Sequence, residues 1–331
     1  MPNSSDNRIR VAVLSGGRSG EHEISLRSAS SIKRALDQQK YQILDYFIDK
    51  TGRWHPSAIV PEPDGNPEID VVFPVLHGPF GEDGTIQGLL ELAALPYVGA
   101  GVLGSALAMD KAMTKRVCKE AGLPVVDHVV LTRAHLEIDS FDSPFPYPVF
   151  VKPANLGSSV GITKATDDVQ LRNALKTAAE FDSKILVERG IVGREFECGV
   201  LGGLRASAST PCEIIPSQDF YNYDDKYVLD KACIELPAKL DPTKTEEMQR
   251  LAILAFEAAG CEGMARVDFL MDAASEELYV NEINTIPGFT SISMYPKMWE
   301  YSGIPYGELL DRLIQLALDR AEQKRQTRVV L

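Results

Sequence analysis

Apolar positions fall into continuous runs and helically spaced stripes along the N-terminal third of the chain. Ile9–Ser15 is a nearly unbroken apolar run, the mark of a strand buried on both faces, and Ser28–Leu36 carries helical spacing after a glycine-rich turn. Tyr41–Ile48 and Ile69–Val75 read as further strands, Thr85–Leu92 and Leu103–Ala121 as helices. Strand, Gly-rich turn, helix, strand is the order of an open parallel α/β sheet. A second unit holds a strand at Pro148–Pro153, a helix at Val169–Glu180 and a strand at Lys184–Glu188. The third has strands at Glu195–Leu201 and Glu213–Pro216, and an irregular aromatic loop at Phe220–Asp230. A helix at Thr245–Ala259, a charged hairpin and a final helix at Tyr306–Gln323 complete it. The pattern predicts an α/β fold with an α+β C-terminal part, in three domains: 1–104, 105–190 and 191–331.

Composition narrows the class. The 331 residues suffice for two or three domains with a sizeable core. Apolar residues at 44% and charged residues at 24% are ordinary for a soluble globular chain. Acidic residues outnumber basic ones, 47 to 34, which argues against general nucleic-acid affinity. The N-terminus lacks the apolar core of a secretory signal, and no run long enough to span a bilayer occurs, so cytoplasmic residence is expected. The five cysteines are widely spaced without a CxxC pair, which disfavours structural zinc and a disulfide framework.

Charge is most concentrated where a strand should be dry. In the segment 266–293, RVDFLMDAASEELYVNEINTIPGFTSIS, Arg266 and Asp268 share one face of an apolar strand. After a polar turn, Glu282 and Asn284 share one face of a second strand. A hairpin would bring the two pairs together. Two carboxylates and an amide beside an arginine form a hard, oxygen-rich site of the kind Mg2+ accepts. A salt-bridged surface hairpin is the alternative from this segment alone. The TIPGFTSIS that follows offers free backbone N–H groups and hydroxyls for an anion.

Other segments add chemistry. Gly16–Glu23 follows the first strand without a GxGxxG pattern, so a dinucleotide site is disfavoured; Glu21 is either a substrate-ammonium anchor or a helix-entry carboxylate stabilised by the dipole. His77 opens a Gly-rich stretch, HGPFGEDG, at the end of another predicted strand. Lys152 precedes the small loop PANLGSSVG, whose N–H groups could cover phosphates, and Lys111 is a second candidate phosphate lysine. Glu188 and Glu195 follow a buried strand, where a nucleotide's adenine and ribose could be read. The loop FYNYDDKY mixes aromatics and charges in the manner of a lid.

Taken in order, GGRSGEHEISL, LHGPFGEDGTIQG, SALAMDK, VKPANLGSSVG, GREFECGVL, FYNYDDKY, GMARVDF and NEINTIPGFTSISMYP resemble the D-alanine–D-alanine ligases of the ATP-grasp superfamily, across nearly the whole chain. The resemblance implies a three-domain ATP-grasp architecture with an N-terminal Rossmann-like sheet. It implies ATP-dependent joining of two D-alanines through an acyl phosphate, for peptidoglycan synthesis, by a homodimer. Asp268, Glu282 and Asn284 would hold two Mg2+ ions, with Mn2+ a possible substitute. Lys111, Lys152 and Lys226 would bind phosphates, Glu188 would read adenine, and Glu195 would hold ribose. Glu21, linked through Ser158 to Tyr227, would anchor the first ammonium near His77. Arg266 and the Gly288 N–H would stabilise the oxyanion, while Ser293 and Met294 would receive the second carboxylate. Tyr227 favours an amine acceptor over D-lactate. Alternatives are a ligase with D-serine or D-lactate as acceptor, a non-catalytic nucleotide-binding module, or, from the N-terminal grammar alone, a nicotinamide oxidoreductase. Nucleic acid and membrane are not expected partners.

Overall fold

The structure is a computed structural model, and it describes residues 7–158, 160–203, 205–215 and 233–327. Three sheets organise it. In the first, β1 (Ile9–Gly16) runs parallel to both β2 (Tyr41–Ile48) and β4 (Val71–Pro74), and β3 (Trp54–His55) pairs antiparallel on the edge. Helix α1 (His22–Ala35) returns along this sheet, and α2 (Thr85–Leu92) follows β4. Two parallel neighbours with their C-terminal ends side by side place the turns after β1 and β4 at one rim, as the N-terminal pattern requires.

The other two sheets are antiparallel. The second has the order β5-β8-β6-β7, with β5 (His128–Thr132), β6 (Val149–Pro153), β7 (Thr163–Ala165) and β8 (Lys184–Arg189). The third has the order β12-β11-β9-β13-β14, with β9 (Gly193–Gly202), β11 (Cys212–Ile215), β12 (Cys233–Glu235), β13 (Gly263–Asp272) and β14 (Leu278–Asn284). A short β10 (Ala206–Ala208) folds back on β9.

The expected helix over Leu103–Ala121 is two helices, α3 (Val102–Met109) and α4 (Lys111–Glu120). Asp110 breaks them: its backbone is extended, and its carboxylate accepts from the N–H groups of Ala112 and Met113, both at 3.0 Å. An aspartate that caps the next helix outweighs continuous helical spacing. Helix α1 begins six residues earlier than Ser28, directly after Glu21. Helix α5 (Asp168–Phe181) covers the second sheet, and α6 (Pro242–Ala258) the third.

A further helix, α7 (Met294–Tyr301), was not expected from the sequence. Pro296 obscures it, yet proline in a first helical turn costs little. Its Tyr295 and Trp299 are buried. The last helix, α8 (Tyr306–Arg325), lays Leu309, Leu310, Leu313 and Ile314 into the same core as Val11, Val13, Val71 and Phe73 of the first sheet. The first sheet is thereby tied to the site-bearing segment, with Phe289 edge-on to Phe73 at 6.0 Å.

Candidate functional site

The β13–β14 ladder decides the geometry. Its register sets Arg266 opposite Asn284 and Asp268 opposite Glu282, and β9 on the other side sets Glu197 opposite Asp268. The expected hairpin therefore forms, and its four polar residues meet. Arg266 Nε and Nη2 donate to Asp268 Oδ1 and Oδ2 at 2.7 and 2.6 Å, and Asn284 Nδ2 donates to Asp268 Oδ2 at 3.0 Å. Glu197 Oε1 lies 3.3 Å from Arg266 Nε. Burial works against the guanidinium, but the carboxylates of Asp268 and Glu197 outweigh it and hold its pKa well above the ordinary value.

Two cavities adjoin this row. The larger, about 430 Å3, is lined by Lys152, Glu188, Glu195, Asp268 and Glu282 among others, a size within the range of small-molecule sites. Behind it lies a buried cluster. Glu188 is 2.8 Å from Lys152 Nζ and 3.2 Å from Lys115 Nζ, and all three groups are buried. Burial opposes the Glu188 charge, yet the two ammonium groups lower its pKa to about 2. Lys152 also donates to Asn281 Oδ1 at 3.2 Å. Lys111 Nζ donates to the Leu156 carbonyl at 2.6 Å and lies 3.3 Å from Glu282, so it ties the small loop after β6 to the hairpin.

The smaller cavity, about 150 Å3, is lined by Glu21, His77, Ser158, Arg266, Glu282, Asn284, Gly288, Ser293 and Met294, together with neighbours discussed below. Glu21 precedes the first turn of α1 but does not cap it. Its carboxylate instead accepts a short hydrogen bond from the Ser158 hydroxyl, and Ser158 sits in the left-handed region at φ +51°. The turn after β4 presses on the same carboxylate: at Gly78, with φ +74°, a Cβ would lie 2.7 Å from Glu21 Oε2. His77 is buried, its Nδ1 3.0 Å from the Ile286 carbonyl and its Nε2 3.4 Å from Ser28 Oγ. Burial lowers its pKa, outweighing the Glu21 carboxylate and the Ile286 hydrogen bond, which raise it.

Beyond β14, Gly288 packs so tightly that a Cβ would meet Ser293 Oγ at 2.7 Å. Ser293 immediately precedes α7, and Met294 is the helix's first residue, whose N–H has no partner within the helix. Lys226 and Tyr227, with the expected lid, lie outside the described residues.

Three residues of this region were given no role from the sequence. Glu82 accepts from the Gly78 N–H at 2.7 Å and from the Ile286 N–H at 3.1 Å, so it clamps the β4 turn to the segment after β14. Burial and the neighbouring Glu21 raise its pKa to about 8. Lys115 completes the Glu188 cluster, and Glu197 is a second carboxylate for Arg266. Glu197 could have been found from its alternation with Glu195; the others depend on contacts far apart in sequence.

A divalent cation can be tested against these residues. Among the described residues, no three His, Cys, Asp or Glu side chains already converge on a point. The expected set is two carboxylates and an amide, and Asp268 faces Glu282 directly across the ladder. Like charges so placed repel. Hard oxygen donors in that arrangement suit Mg2+ with substrate phosphates as further ligands.

Comparison with known proteins gives a consistent result. Residues 10–66 and 55–100 match the family model described as D-ala D-ala ligase N-terminus, and residues 117–315 match D-ala D-ala ligase C-terminus. A D-alanine–D-alanine ligase of Solibacter usitatus is 61% identical over 321 residues, covering 97% of this chain and 99% of that one. Among solved structures, the D-alanine-D-alanine ligase of Coxiella burnetii aligns with a TM-score of 0.83 at 38% identity, over 97% of each chain. The VanG D-Ala:D-Ser ligase of Enterococcus faecalis aligns at 0.86 with 35% identity, over 94% of this chain and 99% of that one.

Proposed function

The chain belongs to the D-alanine–D-alanine ligase family, and from that premise we infer that it is an ATP-dependent ligase joining two D-alanines to D-alanyl-D-alanine, the dipeptide of peptidoglycan precursors. The fold is the family's ATP-grasp fold. The observation that carries the site assignment is the cross-strand row Glu197, Asp268, Glu282 with Arg266, lying where the two cavities meet. One cavity then takes ATP and the other the amino acids, with the phosphoryl acceptor between them.

In the family's reaction, the carboxylate of the first D-alanine attacks the γ-phosphorus and ADP leaves. The amine of the second then attacks the acyl-phosphate carbonyl, and phosphate leaves. A carboxylate and a polyphosphate repel each other, so positioning and charge neutralisation supply most of the acceleration. Glu21, oriented by Ser158, holds the first ammonium, and His77 lies beside the same molecule. Lys111 and Lys152, with Lys226, hold phosphate oxygens. Lys152 remains charged because Glu188 outweighs the effect of burial and raises its pKa. Glu188 stands on the adenine side and Glu195 at the ribose.

Asp268, Glu282 and Asn284 would hold Mg2+, which when bound neutralises phosphate charge. Arg266 and the Gly288 N–H face the developing oxyanion, and Ser293 with the Met294 N–H accepts the second carboxylate. Tyr227 fits an amine acceptor. D-serine or D-lactate as acceptor is not favoured by the relatives named as D-alanine–D-alanine ligases.

No helix among the described residues is long and apolar enough to cross a membrane. A homodimer acting in the cytoplasm completes the proposal. Phosphate release with ATP and Mg2+, compared for D-alanine, L-alanine and no amino acid, tests the function. D-alanine-dependent release with dipeptide seen by mass is expected; release independent of D-alanine overturns it.

A further inference from the structure

Of the buried cluster Lys115, Glu188 and Lys152, the reaction above leaves Lys115 without a task. Lys111 and Lys115 stand four residues apart on α4 and so share one of its faces, about one turn apart. Lys111 reaches the small loop, whereas Lys115 is 1% exposed and lines neither of the two cavities. Its ion partner is Glu188 Oε1 at 3.2 Å. Whatever Lys115 does for a nucleotide, it does through Glu188.

A lysine is seldom buried so fully unless it is paired. Burial lowers the Lys115 pKa, the Glu188 carboxylate opposes that, and the Lys152 charge adds to it. A neutral side chain of similar length would fill the same space without that conflict. The charge is nevertheless kept, and the charges around it give a reason.

Each described lysine that would meet phosphate already carries a carboxylate. Lys111 has Glu282 at 3.3 Å, and Lys152 has Glu188 at 2.8 Å. A lysine paired one-to-one with a carboxylate offers a polyphosphate no net charge. Glu282 would turn to Mg2+ when the metal is bound. Glu188 has no metal in that reading, and with its pKa at about 2 it is ionised at neutral pH. Lys115 is its second cation. Two ammonium groups and one carboxylate leave one positive charge, and Lys152 is the lysine of this cluster on the cavity wall.

We propose that Lys115 is a positioning residue for the triphosphate: from behind the larger cavity it cancels the Glu188 charge, so that Lys152 meets phosphate as an uncompensated cation. This rests on the reading of the larger cavity as the ATP site. It is tested on the full-length enzyme, with Mg2+ present, by the affinities of ATP, ADP and adenosine for wild type, Lys115→Met and Lys115→Gln. Both variants should weaken ATP roughly tenfold, the scale of one charge removed two ion-pair contacts away at an effective dielectric of about 20. ADP should weaken less, adenosine by under twofold, and the KM of each D-alanine should stay within twofold. Adding Glu188→Gln to Lys115→Met restores the net charge, so the preference for ATP over adenosine should return toward wild type. A merely structural lysine would instead weaken all three ligands equally. That outcome, an undiminished ATP affinity, or no recovery in the double variant overturns the proposal. So does full ATP affinity in Lys115→Gln alone, which keeps a donor to Glu188 without the charge. Wild type without affinity for ATP brings down the ATP-site reading as well.

Discussion

The first and third sheets supply the site in different ways. The antiparallel third sheet carries its chemistry on the strands themselves: Arg266, Asp268, Glu282, Asn284 and Glu197 take their relative positions from ladder register. The parallel first sheet carries its chemistry in the turns beyond its strands, and a turn has no ladder to hold it. Polar groups serve instead: Glu82 bonded to the Gly78 and Ile286 N–H groups, His77 against the Ile286 carbonyl, and Ser28 on the Phe289 N–H. Strand-held residues are aligned by the same bonds that make the fold. Loop-held ones need dedicated side chains, and those side chains are as important to the site as the residues facing substrate.

Substitutions can test this contrast, and the largest expected effect falls on a strand-held charge of the second sheet. Glu188→Gln leaves Lys115 and Lys152 without their shared carboxylate. Loss of one partner in a buried ion pair costs about 3–5 kcal/mol, to be read by denaturant unfolding at neutral pH. Because the folded Glu188 pKa is depressed to about 2, its contribution is complete above the unfolded value of about 4.3. The wild-type advantage should shrink as pH falls from there toward 2; an advantage constant across that range would refute the assignment.

Arg266→Ala removes the proposed oxyanion donor; such a donor is worth about 2.7–4 kcal/mol, so kcat should fall roughly a hundredfold or more. Near-normal turnover in that variant would sink the assignment. Glu82→Gln tests the loop-held side. A glutamine can accept from only one of the two N–H groups through its single oxygen, and an unsatisfied buried donor costs about 1–3 kcal/mol. Turnover should fall with little change in ATP KM. Here the pH sign is opposite: a carboxyl whose folded pKa is raised holds its proton more tightly in the fold, so wild type should lose stability relative to Glu82→Gln as pH rises from about 4.3 toward 8.

The smallest effect belongs to Asp167→Ala, far from both arrangements. It removes the cap that accepts the Gln170 N–H at 2.8 Å, at a cost of about 1 kcal/mol in thermal or denaturant unfolding, and kcat should be unchanged.

The same contrast explains what the sequence disclosed. Period-two spacing put Arg266 with Asp268 and Glu282 with Asn284, and the hairpin register follows from a short polar turn, so the convergence of these four side chains was legible in the sequence. The parallel pairing around β1 was legible for a different reason: its strands are nearly continuous apolar runs joined by a Gly-rich turn and a helix. Glu82 was not, because its partner Ile286 is 204 residues away and no local pattern marks a carboxylate that accepts backbone N–H groups. Lys115 was likewise hidden: on α4 it has the spacing of an ordinary solvated lysine, and only the approach of β8 makes it a buried partner of Glu188. The break at Asp110 and the helix α7 were missed where a cap and an early proline override apolar spacing.

The position of α8 bears on how the chain is made. The apolar face of β1 and β4 is covered by Leu309, Leu310, Leu313 and Ile314, and Lys40 and Tyr41 both bond to Asp311. During synthesis at about 5–20 residues per second, that face emerges from the ribosome on the order of ten seconds or more before its cover exists. The first sheet, made before the other two, is thus the last to acquire its complete core. A nascent chain halted before α8 is the form in which chaperones and proteases would find this protein most vulnerable.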